Sequence, residues 1–569
     1  MSFRQVAARV VNFSSQYGSD RRSGSYTAYN LAGESCIYPN YEDHTKAFVL
    51  RTYGPWWSMA PSAPKRIKRR SSKNFISQDF VELEFNDLVY PTRIRILETY
   101  HPGAVVRILA CNASPEARLS SGEIRWEMLW SGPSQCKQVP QKSREFEPPL
   151  KQIKFPTKLI RLEFNHEDAG YYPELDAVEL YGDRVKAKGK VGVVDRALGF
   201  LTEHTVKLLK QLSLTEYAPS EEALGEFGYF GLLPDELIQH IMSYLDLTSL
   251  GRAAQTCSLL FRHCYDPSLY SELDLQPYWN TIDDCTLEGF QSRCSRLEKI
   301  SLSWTGGCGH LTEQAVVSFI KTSGSHLTCL RLACCQFIQE ASIDAIASNC
   351  LALKELDLQS CLLPADALSG LSQLSTLISL NLYRSKVNVP VMQSIIRANP
   401  GLQHLNLGAC SVIDKFDAVT ETVGKHCKDF LSIDLWRART FTSDGLILLA
   451  QRCPNLVELD IGWISLDSKS GCFVTLFKNC KNLKKVFLTA IRSVSDSDME
   501  ALLKFCPNME QVDILGTKKV SPGLIRRVAS HCNSLKFFDV SFCGQLDQHV
   551  VADLRKQFPH IDFKRSFSM

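Results

Sequence analysis

A motif of the form leucine-x-x-leucine-x-leucine recurs through roughly the last 300 residues of the chain, with a step of about 26 residues. A period this regular predicts a stacked solenoid, because one such unit cannot bury its own apolar face without neighbours. Solenoids carry long curved surfaces that bind other macromolecules. The repeats therefore indicate a protein that binds partners. The clearest copies end at Leu275, Leu302, Leu332, Leu358, Leu382, Leu407, Leu435, Ile461, Leu488, Ile514 and Val540.

Many of the 21 cysteines follow the same period. A residue at one repeated position packs beside its own copies, and free cysteine behaves there as a small buried hydrophobe. No paired Cys-x-x-Cys units occur at zinc-finger spacing, so we expect no metal site. Buried free thiols favour a reducing compartment, the cytosol or the nucleus. The repeated cysteines are Cys335, Cys361, Cys410 and Cys543 after the anchors, and Cys294, Cys350, Cys427, Cys453, Cys480, Cys506 and Cys532 before the next repeat.

Length and charge limit the remaining classes of protein. At 569 residues we expect two to four domains, and a net charge of +3 does not favour a nucleic-acid partner. No apolar run approaches the roughly 18 residues that cross a bilayer. The chain lacks a Gly-rich phosphate loop, a zinc-protease helix and a nucleophile elbow. We therefore expect no catalytic residue and no cofactor.

Residues 10–183 predict a β-sandwich. Phe80–Phe85 and Thr92–Leu97 alternate apolar and polar residues, as half-buried strands do, and Gln152–Phe155 is a further candidate strand. Pro and Gly residues separate the candidates, and short strands at this spacing are typical of a sandwich. Segments of this region resemble a discoidin-type, galactose-binding-like jelly roll, and the resemblance rests on Ser14–Gly18, Asn30–Gly33, Trp126–Trp130 and Glu174–Gly182.

Residues 184–228 predict a linker that contains one helix. Apolar residues from Leu198 to Leu212 fall near helical spacing. Such a stripe packs against a neighbouring domain or binds a membrane surface.

Residues 229–272 predict three short helices. Pro234 suits a helix start, where its missing N–H is not needed, and Asp235 and Glu236 lie at the positive end of the helix dipole. Leu237 and Ile241 fall on one face with the other apolar residues of that helix. So small a unit cannot bury a sufficient core alone. We therefore expect it to pack on the repeats on one side and on a partner on the other.

The same segment resembles an F-box. The resemblance rests on Leu233–Leu237, Tyr244–Leu247 and Asp266–Tyr270, with Tyr270 where the family usually has Trp. An F-box followed directly by cysteine-containing leucine-rich repeats is characteristic of the F-box and leucine-rich-repeat family. When the discoidin-like front domain is included, the chain as a whole resembles a mitochondrial member of that family. Residues 229–272 would then be the F-box, and residues 273–569 would hold about ten or eleven repeats and a C-terminal cap.

The resemblance implies a non-catalytic substrate receptor of a Skp–cullin–F-box ubiquitin ligase. The F-box would bind the Skp adaptor, which carries a cullin scaffold and a RING subunit, and the repeats would hold a target. Several of the matching residues have an alternative role in closing the three-helix core. The family's adaptor-contact pattern falls on Leu233, Pro234, Glu236, Leu237, Ile241, Leu245 and Leu250.

The residues that flank the anchor leucines predict a target-binding face, because side chains alternate along a strand. The position before each anchor is usually Asp or Asn, which bind a target or join adjacent repeats by hydrogen bonds. Trp, Tyr and Arg residues anchor interfaces most often. The candidate target contacts are Tyr383, Arg384, Trp436, Arg437 and Trp463. Residues 558–569 would cap the last repeat or cross the concave face.

Three signals compete for the compartment. Lys65–Arg70 resembles a nuclear-import cluster, and residues 1–30 are Arg- and Ser-rich like a mitochondrial presequence. The same residues also match the first strands of the front domain. A cullin ligase works where ubiquitin is, so we expect the cytosol at the outer mitochondrial surface, with outer-membrane proteins as targets and the nucleus as the alternative. An interaction scaffold without ubiquitin transfer and a carbohydrate-binding protein are the rival functions.

Overall fold

The computed structural model describes residues 3–18, 24–51, 60, 62–67, 76–113, 125–184, 230, 233–305 and 310–565. The chain divides into two compact units. The larger unit consists of Met1–Pro64, Ile76–Val185 and Leu358–Met569, and the smaller unit of Lys65–Phe75 and Lys186–Asp357. The predicted linker at 184–228 lies, except for Arg184, outside the described residues.

The front of the larger unit is an antiparallel β domain, as predicted. Its strands pair in the order β1-β9-β4-β8-β5-β6, while β2 and β7 pair with β4 and β3 pairs with β9. Its core includes Phe48, Leu83, Ile96 and Ile160. The nine strands are β1 (Phe3–Val6), β2 (Arg9–Phe13), β3 (Phe48–Val49), β4 (Asp79–Tyr100), β5 (Val105–Cys111), β6 (Trp126–Ser131), β7 (Arg144–Phe146), β8 (Thr157–Phe164) and β9 (Glu174–Arg184).

The strand β4 runs for 22 residues and contains both Phe80–Phe85 and Thr92–Leu97. Its register breaks between Glu84 and Val89. The first half pairs with β2 and β8, and the second half pairs with β7 and β9. The prediction of a strand at Gln152–Phe155 is wrong: that segment has no strand. Prolines on both sides of it lack the N–H that a strand ladder needs.

The smaller unit contains three short helices followed by strands and helices in alternation. Its strands pair in parallel. The elements are α1 (Asp235–Ser243), α2 (Leu247–Ala253), α3 (Ser258–Cys264), β10 (Glu272–Asp274), α4 (Asp284–Gln291), β11 (Lys299–Ser301), α5 (Glu313–Ser323), β12 (Cys329–Arg331), α6 (Glu340–Asn349) and β13 (Glu355–Asp357).

The three short helices pack on the first repeat, as their size requires. The Arg293 guanidinium, just after α4, lies 3.7 Å from the centre of the Tyr265 ring and donates to the Tyr265 hydroxyl at 2.6 Å. The rings of Tyr270 and Phe290 are 6.0 Å apart. Tyr270 stands at the position where the F-box family usually has Trp. It is therefore part of the contact between the three short helices and the first repeat.

The rest of the larger unit repeats the same strand and helix pattern. A 3-10 helix at Ala367–Gln373 stands where other repeats have an α-helix. The last strand, Asp562–Lys564, lies where the sequence predicted a cap. The elements are β14 (Ser379–Asn381), α7 (Val389–Ala398), β15 (His404–Asn406), α8 (Phe416–His426), β16 (Ser432–Asp434), α9 (Ser443–Arg452), β17 (Glu458–Asp460), α10 (Cys472–Asn479), β18 (Lys485–Phe487), α11 (Asp496–Phe505), β19 (Gln511–Asp513), α12 (Pro522–His531), β20 (Phe537–Asp539), α13 (Gln548–Gln557) and β21 (Asp562–Lys564).

Each anchor leucine follows its strand directly, and two residues later the backbone of most repeats turns left-handed. Ala409 has φ of 58° and Arg437 has φ of 62°. In this conformation the N–H of Ala409 donates to the Trp436 carbonyl of the next repeat at 2.7 Å. The turn thus extends the hydrogen-bond ladder beyond the three-residue strand. In the larger unit the position is Ser360, Arg384, Ala409, Arg437, Trp463, Ala490, Gly516 and Phe542.

The cysteines before each repeat form a buried column. The Cys480 Sγ atom contacts the Cys453 carbonyl oxygen at 3.4 Å, and the Cys506 Sγ atom contacts the Cys480 carbonyl oxygen at 3.4 Å. Burial raises the pKa of Cys480 to about 12, so this thiol stays protonated at neutral pH. The cysteines among the described residues are free thiols.

The left-handed turn makes a direct stability prediction at Ala409. A left-handed residue with a side chain costs about 1–2 kcal/mol, and a β-branched one costs more. We expect Ala409→Val to lower the free energy of unfolding by about 2 kcal/mol relative to Ala409→Gly. Urea unfolding of the two variants measures this difference. Equal unfolding free energies in the two variants would show that the turn is not required.

Candidate protein-binding surfaces

The first helix of the smaller unit, α1, presents an apolar stripe to solvent. Leu237 is 50% exposed, Ile241 39% and Tyr244, directly after the helix, 76%. These positions lie three and four residues apart and therefore on one face. Ile238 and Met242 lie on the other face and are buried. Exposed apolar residues in a cluster mark interaction surfaces, so α1 has one face in the core and one face available to a partner.

The other residues of the predicted adaptor face are placed differently. Pro234 and Glu236 are exposed, and Leu233 and Leu245 are half-buried. Leu250 was predicted to contact the adaptor, but it is only 2% exposed and lies in the helical core. Leu250 lines a small cavity with Tyr265, Tyr270 and Phe290. The spacing of apolar residues alone cannot separate such a core position from a contact position.

In the larger unit, the Asp and Asn residues before the anchors bind their own backbone turns. One side-chain oxygen of each accepts the backbone N–H two residues later. The Oδ1 atom of Asp434 accepts from Trp436 at 2.9 Å, and that of Asp513 accepts from Leu515 at 2.8 Å. The same bond occurs at Asn381, Asn406, Asp460 and Asp539. In the aspartates the second oxygen, Oδ2, accepts from other donors, such as the Thr489 hydroxyl at 2.8 Å from Asp513 Oδ2. We call Asp434, Asp460, Asp513 and Asp539 the aspartate row.

Arg51, two residues after β3 of the β domain, binds the first half of this row. One of its terminal nitrogens donates to Asp434 Oδ2 at 2.5 Å and to Asp460 Oδ2 at 2.7 Å. The guanidinium lies 5.4 Å from the ring centre of Tyr383 and 5.2 Å from that of Trp436. Burial raises the pKa of Asp434 to about 6, and the Arg51 charge opposes that shift. Two carboxylates and two aromatic rings thus enclose one buried cation.

Tyrosines of the β domain bind the second half of the row. The Tyr17 hydroxyl lies 2.7 Å from Asp513 Oδ2 and 3.1 Å from Asp539 Oδ2. The Tyr172 hydroxyl donates to Asp539 at 3.1 Å. Lys564, in the last strand, forms a buried ion pair with Asp539 at 2.9 Å. Burial raises the pKa of Asp539 well above its ordinary value.

An apolar cluster surrounds these polar contacts. It is formed by Tyr17, Tyr26, Val49, Tyr171 and Tyr172 of the β domain with Phe487, Leu515 and Phe537 of the repeats. Within the larger unit, the β domain therefore covers the aspartate row with both apolar and charged contacts.

The predicted target contacts lie on this same surface. Tyr383 is 2% exposed and Trp436 3%, because both lie beneath Arg51. Arg384 donates to the Phe13 carbonyl oxygen of the β domain at 2.8 Å. Arg437 and Trp463 are half-buried at left-handed turns. Within the larger unit, the β domain therefore contacts Tyr383, Trp436 and Arg384.

Sequence reasoning did not identify Arg51 as a partner of the row. Arg51 is a single cation far from the repeats in the chain, and no local pattern distinguishes it from other surface arginines. The four tyrosines are equally inconspicuous, although Tyr17 belongs to the segment that carries the discoidin resemblance. The row of aspartates before the anchors was the available signal, because buried carboxylates need donors.

The three-helix element and the repeats define an F-box protein with leucine-rich repeats. The family model described as F-box-like matches residues 230–276. F-box/LRR-repeat protein 4 of Bos taurus is 44% identical over 99% of this chain and 92% of its own length. The chain therefore belongs to the family of F-box/LRR-repeat protein 4.

More distant relatives match only part of the chain. F-box protein SKIP1 of Arabidopsis thaliana is 23% identical over 47% of this chain and 88% of its own length. Among solved structures, the yeast complex of Rad7 and Elc1 matches 61% of this chain and 92% of that chain, with 15% identity and a TM-score of 0.40.

The Arg51 site generates a second stability prediction. Removal of one member of a buried charge cluster leaves uncompensated charges and costs about 3–5 kcal/mol. We expect Arg51→Ala to lower the free energy of unfolding of the larger unit by this amount. The triple variant Arg51→Met, Asp434→Asn and Asp460→Asn is the control, because it removes all three charges and should lose less than Arg51→Ala. Denaturant unfolding measures both, and a loss in Arg51→Ala smaller than about 1 kcal/mol would contradict the buried cluster.

Proposed function

We propose that the chain is the substrate receptor of a Skp–cullin–F-box ubiquitin ligase. The observation that carries the proposal is the stripe of Leu237, Ile241 and Tyr244, which remains exposed on the segment that matches the F-box model. The opposite face of the same helix is buried. An apolar face of this kind on a small helical element favours a helical protein partner, and the Skp adaptor is the partner that the family implies.

The chain would act by proximity and supply no catalytic group. The adaptor would join it to a cullin scaffold and a RING subunit, which carries the ubiquitin-charged enzyme. A receptor that holds a target beside that enzyme raises the effective concentration of the target lysines. The function therefore depends on two binding surfaces, one for the adaptor and one for the target.

We propose that targets bind the outer surface of the larger unit. The β domain already occupies the aspartate row, together with Tyr383 and Trp436. Among the predicted contacts, Arg437 and Trp463 keep part of their surface exposed. These two are therefore our candidates for direct target contact, with outer-mitochondrial-membrane proteins as the target class.

We propose the cytosol, at the outer mitochondrial surface, as the place of action. Free buried thiols support a reducing compartment. Phe3–Val6 and Arg9–Phe13 are strands of the β domain, so cleavage of a presequence there would remove part of a sheet. In the basic cluster that resembles a nuclear-import signal, Ile67 is buried. Among the described residues, no helix combines the length and the apolarity needed to cross a bilayer.

The exposed stripe generates the test of adaptor binding. We expect Leu237→Asp with Ile241→Asp to abolish recovery of the Skp adaptor with the full chain, because two charges would enter an apolar interface. Leu351→Asp is the matched control, since Leu351 is 65% exposed and lies elsewhere in the smaller unit. Co-purification measures recovery, and the melting temperature of each variant verifies folding. Equal recovery of the adaptor by all the variants would favour the rival interaction scaffold.

The receptor role makes a separate prediction in cells. Proximity labelling with the wild-type chain should enrich proteins that accumulate beside it only when the proteasome is inhibited. The Leu237→Asp/Ile241→Asp variant should label the same proteins without that dependence, because it would still bind targets but no longer reach the ligase. Labelling that does not change with proteasome inhibition in the wild type would contradict a role in degradation.

A further inference from the structure

Two carboxyl groups of the β domain meet in a buried position beside the repeats. Glu174, the first residue of β9, is fully buried, and its Oε2 atom accepts the backbone N–H of His44 at 3.1 Å. Its Oε1 atom is buried and has no hydrogen-bond donor. The side chain of Asp43 is its hydrogen-bonding neighbour. Both oxygens of Asp43 are already occupied, since they accept the hydroxyls of Tyr26 at 2.6 Å and Tyr171 at 2.9 Å.

We propose that Glu174 is protonated and donates its proton to Asp43, so that docking of the β domain on the repeats is coupled to uptake of one proton. Two ionised carboxylates cannot form a hydrogen bond with each other, whereas a carboxylic acid and a carboxylate form a strong one. The proton of Glu174 gives its otherwise unpaired oxygen a partner. A buried acceptor without a donor is costly, so a shared proton is the arrangement that satisfies both groups.

The shared proton belongs to the contact between the β domain and the repeats. The Tyr171 hydroxyl that donates to Asp43 also accepts the backbone N–H of Arg565, directly after the last strand, at 3.0 Å. The Tyr26 ring lies 6.3 Å from the ring of Phe542 in the repeats. Asp43 therefore orients two tyrosines that contact the repeats, and a second negative charge at Glu174 would disturb both.

The neighbouring groups do not replace the proton with a positive charge. Glu42 adds negative potential at Glu174. On β4 and just after it, Tyr100 is neutral, and burial lowers the pKa of His101 to about 4. On the repeats, Lys564 is paired with Asp539 and its charge also acts on Asp43. The Arg555 guanidinium donates to the Phe563 carbonyl oxygen at 2.7 Å and acts on Tyr100 and His101. Burial, together with the negative charge of Asp43, raises the pKa of Glu174 well above its ordinary value of 4.5.

The sign of the pH effect follows from this arrangement. The folded unit holds a proton that the unfolded chain releases above the ordinary pKa of glutamate, 4.5. Stability from this group is therefore fully present below that pH and is lost as the pH rises toward the raised pKa. One proton changes the unfolding equilibrium constant by about tenfold for each pH unit in that window.

The test compares Glu174→Gln with Asp176→Asn in the full chain. The side-chain amide that Glu174→Gln introduces donates to Asp43 without a titrating proton. The unfolding equilibrium constant of this variant should therefore fall relative to that of wild type by about tenfold for each pH unit between 4.5 and the raised pKa of Glu174. Asp176 lies two residues away on the same strand and accepts from Ser35, Ile37 and Tyr38 at 2.5, 3.0 and 2.9 Å. Its pKa is lowered from the ordinary value of 3.8, so both the folded and the unfolded chain hold Asp176 ionised throughout the measured range, and Asp176→Asn should show a defect that does not change with pH.

Urea unfolding from about pH 5.5 to about pH 8.5 provides the measurement. A constant ratio of wild-type and Glu174→Gln equilibrium constants across this range would overturn the proposal. Infrared spectroscopy supplies a readout that does not depend on refolding: the wild-type chain should show a protonated carboxyl band at neutral pH that Glu174→Gln lacks. Identical carboxyl bands in the two chains would also overturn the proposal. Addition of Ca²⁺ at fixed pH should leave stability unchanged. A rise in stability with Ca²⁺ would assign the position to a metal ion instead of a proton.

Discussion

The aspartate row is the constraint on which the larger unit depends. Each aspartate uses one oxygen to cap its own turn. The other oxygen meets donors both from the repeats, such as Thr489 and Lys564, and from the β domain. Buried carboxylates need partners, because an isolated charge in a protein interior is very costly. Arg51 and Tyr17 of the β domain supply them. The front domain therefore supplies part of the donor set of the aspartate row, including the one cation beside Asp434 and Asp460.

If the chain is the receptor that we propose, this contact changes how it can select its targets. A concave repeat surface usually suggests the binding site for a partner, but here part of that surface is internal. Target recognition would then involve the outside of a combined body of β domain and repeats. A proton shared by Asp43 and Glu174 would make the integrity of that body sensitive to pH. The helix that we propose as the adaptor site, α1, lies in the smaller unit and packs in a separate core, so loss of the docked β domain and loss of adaptor binding are separable by experiment.

Periodicity predicted the solenoid, its anchors and the buried cysteines, because each of these repeats in sequence as it does in space. The F-box helices were predictable for the same reason: Leu237 and Ile241 lie at helical spacing after a proline. The left-handed turns were not predictable, since residues as different as Ala409, Arg437 and Trp463 occupy the position. Leu250 was misplaced because a core leucine and a contact leucine look alike in sequence. Arg51 was missed because its partners Asp434 and Asp460 are 383 and 409 residues away in the chain.

Hydrogen exchange of the full chain with and without the Skp adaptor tests the central claim most directly. The account predicts that the adaptor slows exchange in Asp235–Ser243, where the exposed stripe lies, and leaves the strands Ser432–Asp434 and Glu458–Asp460 unchanged. Those strands should already exchange slowly in the free chain, because the β domain covers their aspartates. Unchanged exchange in Asp235–Ser243 on addition of the adaptor, or rapid exchange of the two strands in the free chain, would contradict it.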